Sequence, residues 1–318
     1  MIEGLNNLER AVLRTIIYYD LFDYPLTANE IWKGLFKYQT DLFLVINCLA
    51  KSENLKKYLE TRDGFYFLKA RKEILNIRKK RRDYSIKKWT KALKAVKIIR
   101  FVPFLRAVFL CNSIPYFNAP EDSDIDFFII IKSGYLWFSR FFITLLLHLT
   151  GIRRHGRKIK DRICLSFYIS TDNLDLKNLS YEQDIHFYYW LANFALIFDR
   201  NGAENFFQAN LWLKEFLPQF FPQQIIDNWM IKENKLSFLA SRTKEFFLDN
   251  FFGKFLNLVL KKIQLFKIKQ NKNSRLQENN TDVLVQDNIL KFHEEDNRKE
   301  VRDLFYKKLR RTIELLNG

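Results

Sequence analysis

The chain has 318 residues, 48% of them hydrophobic, and a formal net charge of +17. That apolar content excludes bulk disorder and allows a sizeable core. With 9 Gly and 6 Pro against 32 Phe, collagen-like and loop-dominated architectures are excluded, and aromatic-packed helices are favoured.

Residues 6–70 carry the pattern of a winged helix. Leu8, Val12, Leu13, Ile16 and Ile17 recur at helical spacing, and Pro25 closes that helix. Thr27 followed by Glu30 forms a capping box for a second helix, and Asp41 can cap a third. Arg62-Asp63-Gly64 between two strand-like runs predicts a hairpin. The third helix would be the one to enter a DNA groove. It offers Asp41, Lys51 and Glu53 among apolar residues, so a scaffold or protein-contact role is expected over operator recognition.

Residues 71–100 predict a long helix with 13 basic and 2 acidic side chains, against 9 of each in residues 1–70. This segment carries most of the positive field, and such a run can attract nucleic acid or another polyanion. A smaller cluster spans Arg153 to Arg162, in which Arg157 and Lys158 are candidate phosphate or RNA contacts.

Strands are predicted over residues 105–110, 124–131 and 163–170, with a buried helix over 135–150 that makes His148 a core residue. From residue 181 the chain reads as helical: 181–198, 203–217, 222–230 and 235–266 show helix-period apolar residues. The aromatic residues of 246–266 occur all round the helix, which favours burial over a membrane-surface role even with Lys254, Lys261 and Lys262 present. Residues 270–281 read as a loop and 282–292 as a short extended piece. His293, followed by three acids, reads as a helix start, and a final basic helix covers 296–316. The fold class expected is α+β, predominantly helical. Its modules would be 1–70, winged-helix-like; 71–178, the basic helix with a small mixed sheet; and 179–318, helical.

Cys48, Cys111 and Cys164 form no CxxC pair, so no disulfide framework is expected and a reducing cytoplasm fits. The opening residues carry no basic-then-apolar leader pattern. No run of about 18 charge-free apolar residues occurs, so no transmembrane segment is expected.

The informative constellation is Cys111-Asn112-Ser113, ten intervening residues, then Asp124-Ile125-Asp126-Phe127. Residues i and i+2 of a strand share a face, so Asp124 and Asp126 project together. Two adjacent carboxylates repel unless a hard cation lies between them, and Mg²⁺ suits oxygen ligands completed by water and phosphate. Ser113 can offer its hydroxyl and backbone N–H to a phosphate oxygen, and the approach Glu121-Asp122-Ser123 is polar.

Residues 86–170 resemble the polymerase-beta-like nucleotidyltransferase superfamily in its minimal form. Ser113 matches the serine of its Gly-Ser turn, and Asp124 and Asp126 match its metal-binding carboxylates. The resemblance implies a nucleoside triphosphate bound through two Mg²⁺ by Asn112, Ser113 and Ser123. It further implies nucleotidyl transfer to an acceptor, with Asp124 and Asp126 as catalytic and metal residues. The acceptor, whether protein, RNA or a small molecule, is left open. Asn112 replaces the family glycine, and asparagine is the residue best able to copy its positive φ. No acid on 163–170 matches the family's third carboxylate, for which Asp161, Ser166 and Asp172 are the nearby residues. A catalytically inactive nucleotidyltransferase fold, acting as a nucleic-acid-binding or regulatory module, is therefore the alternative.

Overall fold

The computed structural model describes residues 4–220, 229–270, 283–292 and 296–314. The helix expected over 222–230, the loop over 270–281 and the helix start at His293 lie wholly or largely outside these residues. The described chain is mixed α+β and dominated by helix, as expected.

Helices α1 (Asn7–Asp20), α2 (Ala28–Lys33), α3 (Leu42–Lys51) and α4 (Glu53–Lys56) precede the hairpin β1 (Leu59–Arg62) and β2 (Phe65–Leu68). The Thr27–Glu30 capping box forms, and the hairpin turns at Asp63 and Gly64, both at positive φ. Asp41 precedes α3 without a side-chain cap bond. Helix α3 exposes Phe43, Leu44 and Ile46.

The long helix α5 (Ile74–Ile99) follows. Its first half is tied down by its own arginines. Arg78 pairs with Glu30 at 2.8 Å and Arg81 with Asp23 at 3.3 Å, while Arg71, just before the helix, reaches Asp20 at 3.1 Å. Lys88 is 1% exposed and donates to the carbonyls of Glu121 (2.9 Å) and Ser123 (2.7 Å) and to Asp161 Oδ1 (2.8 Å). Lys91 takes the other Asp161 oxygen at 2.7 Å. Five of the thirteen basic residues of 71–100 thus make internal ion pairs, so much of this segment fastens the fold together.

Strands β3 (Leu105–Leu110), β4 (Ile125–Ile131), β5 (Ile163–Ser170), β6 (Ala195–Asp199), β7 (Val283–Val285) and β8 (Ile289–Phe292) form one sheet in the order β6-β3-β4-β5-β8-β7. Among these strands only β4 and β5 pair in parallel, across the crossover helix α6 (Leu136–Leu149); the other pairs are antiparallel. Strand β4 is apolar on both faces, as a covered central strand should be. Phe128 and Ile130 join one buried cluster, and Phe127, Ile129 and Ile131 join the other. The first cluster runs from Leu5 to Leu309, so α1 and the last helix, α11 (Arg298–Glu314), pack into the same core as the sheet.

Three sequence expectations need correction. Residues 181–198 are not one helix: α7 (Ile185–Ala192) ends at Asn193, and the chain then forms β6 against β3. A short run such as Ala195-Leu-Ile-Phe has no period that separates strand from buried helix, and the open edge of β3 decides it. The region 179–318 therefore supplies three strands of the central sheet. His148 is exposed at the end of α6, outside the core. Finally, residues 235–266 form two helices, α9 (Lys235–Leu248) and α10 (Phe251–Lys269), whose phenylalanines are largely exposed. Helix α8 (Ala203–Ala209) begins the 203–217 segment as expected.

His186 on α7 lies 2.9 Å from Tyr18 Oη through Nδ1 and stacks on Phe22. Burial pushes its pKa down to about 4. A depressed histidine stabilises the fold fully above its unfolded value near 6.5, and that contribution is lost as pH falls from about 6.5 towards 4. Between pH 7 and 5 the wild type should lose about 1–2 kcal/mol more stability than His186→Gln. Urea unfolding at the two pH values measures the difference. In the same assay Lys88→Met should cost about 2–4 kcal/mol, because two carbonyls and a carboxylate lose a buried donor.

Candidate functional site

The site is built where β3 ends and β4 begins. Strand β3 runs out at Leu110, and Asn112 takes the left-handed conformation at φ 61°. Asparagine tolerates that region better than other residues with a Cβ, so the turn is accommodated in the backbone. Its carboxamide is held at both ends: Nδ2 donates to Asp126 Oδ2 at 2.6 Å, and Oδ1 accepts from Trp190 Nε1 at 2.8 Å. Trp190 itself stacks between Phe167 and Phe187.

Asp124 and Asp126 come together as the i, i+2 spacing predicts. Their carboxylates and the Cys164 thiol lie within 4.8 Å of one another, all half-buried. Parallel pairing sets Cys164 beside Asp126. Burial raises the Asp126 pKa to about 7, and the Asp124 charge adds to the shift. Burial and the same two acids also raise the Cys164 thiol. Arg154 answers Asp124 with an ion pair of 2.5 Å.

The acids line a cleft of about 1160 Å³ between the sheet end, α6, the 153–156 turn and α10. Arg140, His148, Arg153, Arg154, His155 and Lys267 also line it. Arg140 is half-buried in this lining. Its Nη1 donates to Gln264 at 2.6 Å, its guanidinium lies 4.9 Å from the Phe292 ring centre, and its buried Nε has no partner. Among the described residues no carboxylate pairs with it, and burial holds its pKa below the ordinary arginine value. A half-buried cation without an acid partner, lining a cleft, suits an anion from outside the chain.

Other expected residues lie elsewhere. Ser113 lines a separate cavity of about 350 Å³ with Tyr18, Phe22, His186, Trp190 and Arg298, and Asn112 is common to both cavities. Ser123 turns its hydroxyl to the Pro120 carbonyl at 3.1 Å. Arg157 and Lys158 are exposed and outside the cleft lining, whereas Arg153 and Arg154 of the same cluster are within it. Asp161 is engaged by Lys88 and Lys91 and does not join the acid pair. Asp172 accepts from Ser133 at 2.6 Å, near the far end of β5. Sequence reasoning missed Arg140, Cys164 and Lys267. Cys164 could have been found by aligning 163–170 beside 124–131; Arg140 and Lys267 sit on helices whose approach to the cleft has no local signal.

No protein-family model matches the chain, and neither a curated protein nor a solved structure matches it.

Replacing Asn112 separates backbone from side chain. Asn112→Ala should be less stable than Asn112→Gly by about 1 kcal/mol, since only alanine strains the positive φ. Thermal unfolding of the two variants tests this.

Proposed function

We propose that the chain is a nucleotidyltransferase-fold protein that binds a nucleoside triphosphate with Mg²⁺ and passes its nucleotidyl group to an acceptor. One observation carries the reading: a single cleft holds the Asp124–Asp126 pair and, in Arg140, a half-buried cation with no acid partner among the described residues. The first suits a divalent cation and the second suits phosphate.

The acid pair fits magnesium chemically. Burial, and then the Asp124 charge, raise the Asp126 pKa, and a cation between the two carboxylates would offset both. Bound there, Mg²⁺ would supply charge neutralisation on the transferring group. Arg140, Arg153 and Lys267 would take the phosphate charge, and Asn112 holds Asp126 in place. In the transfer itself, the acceptor hydroxyl oxygen bonds to the α-phosphorus and the bond to the β-phosphate oxygen breaks. Pyrophosphate leaves with that oxygen. The hydroxyl proton passes to water, because the third group beside the acid pair among the described residues is a thiol, Cys164, and not a carboxylate. The aromatic cavity on the other side of Asn112 has room for a small acceptor group.

A binding-only regulatory module is the second reading. It is favoured by Cys164 beside the acid pair and by the engagement of Asp161 with two lysines.

Calorimetric titration of each NTP with Mg²⁺ should give a binding heat for the wild type. The Asp124→Ala/Asp126→Ala variant should bind at least roughly tenfold more weakly. Equal heats from the two proteins would discard the reading. Pyrophosphate release in the presence of candidate acceptors decides between transfer and binding alone.

A further inference from the structure

Helices α9 and α10 place polar side chains on much of their inward face. On α9 the inward positions are Ser237, Ser241 and Glu245, spaced four apart. Glu245 accepts from Arg106 at 2.9 Å and from the Phe104 N–H at 2.7 Å, and Ser241 accepts from Arg200 at 2.6 Å. On α10, Gly253, Leu260 and Gln264 face inward, and Asn257 accepts from the Phe138 N–H at 2.9 Å. Leu248, Leu256, Leu260 and Leu265 pack against the core, but most of the phenylalanines face away from the protein. Leu236 is 71% exposed, Phe246 80% and Phe251 85%, and Phe247, Phe255 and Phe266 are exposed with them.

The turn between the helices is only Asp249–Asn250, and it is tight: a Cβ at Gly253 would collide with the Leu248 carbonyl. Four phenylalanines, Phe246, Phe247, Phe251 and Phe252, therefore crowd one exposed tip. Residues 235–270 hold eight basic and two acidic side chains, and one of those acids, Glu245, is buried. Arg242, Lys244, Lys254 and Lys262 are exposed beside or among the apolar residues.

We infer that the α9–α10 hairpin docks this chain peripherally on an anionic lipid bilayer. Outward phenylalanines enter the boundary between headgroups and acyl chains, and the flanking lysines and arginine meet anionic headgroups. Charge separates this occupant from a second copy of the chain. A twofold interface would set this basic face against itself, whereas an anionic bilayer supplies both the apolar depth and the opposite charge. Among the described residues no helix is long and apolar enough to cross a membrane, so the hairpin lies on the surface. The inference is independent of the nucleotide reading, although α10 also contributes Ile263, Lys267 and Ile268 to the cleft lining.

Vesicle flotation tests it on the full chain, comparing phosphatidylcholine vesicles with vesicles in which about one-third of the lipid is phosphatidylglycerol. The wild type should float with the anionic vesicles, less so at high salt. The Phe246→Ser/Phe251→Ser/Phe255→Ser variant should partition roughly tenfold or more weakly. These positions are exposed, so the variant should keep the wild-type unfolding midpoint, which is measured alongside. As a second measure, Phe255→Trp should gain fluorescence quenching by brominated lipid relative to the parent. Failure of the wild type to bind anionic vesicles would overturn the inference. So would a dimer without lipid that the serine variant dissolves, or fluorescence of the Phe255→Trp variant that is indifferent to brominated lipid.

Discussion

The buried amine of Lys88 joins three segments far apart in sequence: α5, which carries it; the Glu121–Ser123 approach to β4; and Asp161 just before β5. Burying such a group is costly unless its hydrogen bonds are made, and here three acceptors within 2.9 Å satisfy them. The Asp161 N–H reaches the Ser123 carbonyl and the Ile125 N–H reaches the Arg162 carbonyl. The starts of the two parallel strands are thereby locked in register. That register puts Cys164 beside Asp126 and leaves the two carboxylates close enough to share a cation. Asp161 is thus a positioning residue for the acid pair, and its structural engagement explains why it is not itself a member.

The same logic extends to the flanking segments. Asp20 at the end of α1 is almost fully buried and is paired both with Arg71 and with Lys308 of α11. Asp184, at the N-terminus of α7, is buried against Arg298 at 2.9 Å. The Asp20 pairs cross between regions that sequence reading assigns to different modules, and the Asp184–Arg298 pair ties α7 to α11 within the last of them. Ion pairs of this kind contribute modestly to net stability, but removal of one member leaves an uncompensated charge, so they favour one arrangement over its competitors. The smaller cavity lies where α1, the Ser113 turn, α7 and the start of α11 meet, which makes it a product of that arrangement.

Local period carried much of the structure into view from the sequence. The Thr27–Glu30 cap, the Asp63-Gly64 turn, strands β3 to β5 and the spacing of Asp124 and Asp126 depend on neighbours within a few residues. Asn112 at positive φ was legible for the same reason: few other side chains tolerate that conformation. Strand β6 was not legible, because its identity is fixed by the free edge of β3, which lies far back along the chain. Arg140 was hidden differently. An arginine in an apolar helix reads as a solvated interruption, and only the approach of Phe292 and Gln264 reveals that it is partly covered.

The α9–α10 hairpin shows a more instructive failure. Assigning apolar residues to the interior assumes that water lies on the other side, and aromatic residues spread widely around a helix then read as burial. Here many inward positions are held by polar side chains whose partners, Arg106, Arg200 and backbone N–H groups, belong to distant segments, and Leu248, Leu256, Leu260 and Leu265 fill others. With the inward face taken by these polar groups and leucines, the phenylalanines lie outward. Net charge is equally mute until placed. The basic residues of 71–100 include five that turn to acids of the same chain, whereas those of 235–270 stand largely in solvent among exposed rings. Of the two basic regions, the one with the smaller charge is therefore the better placed to meet an external surface.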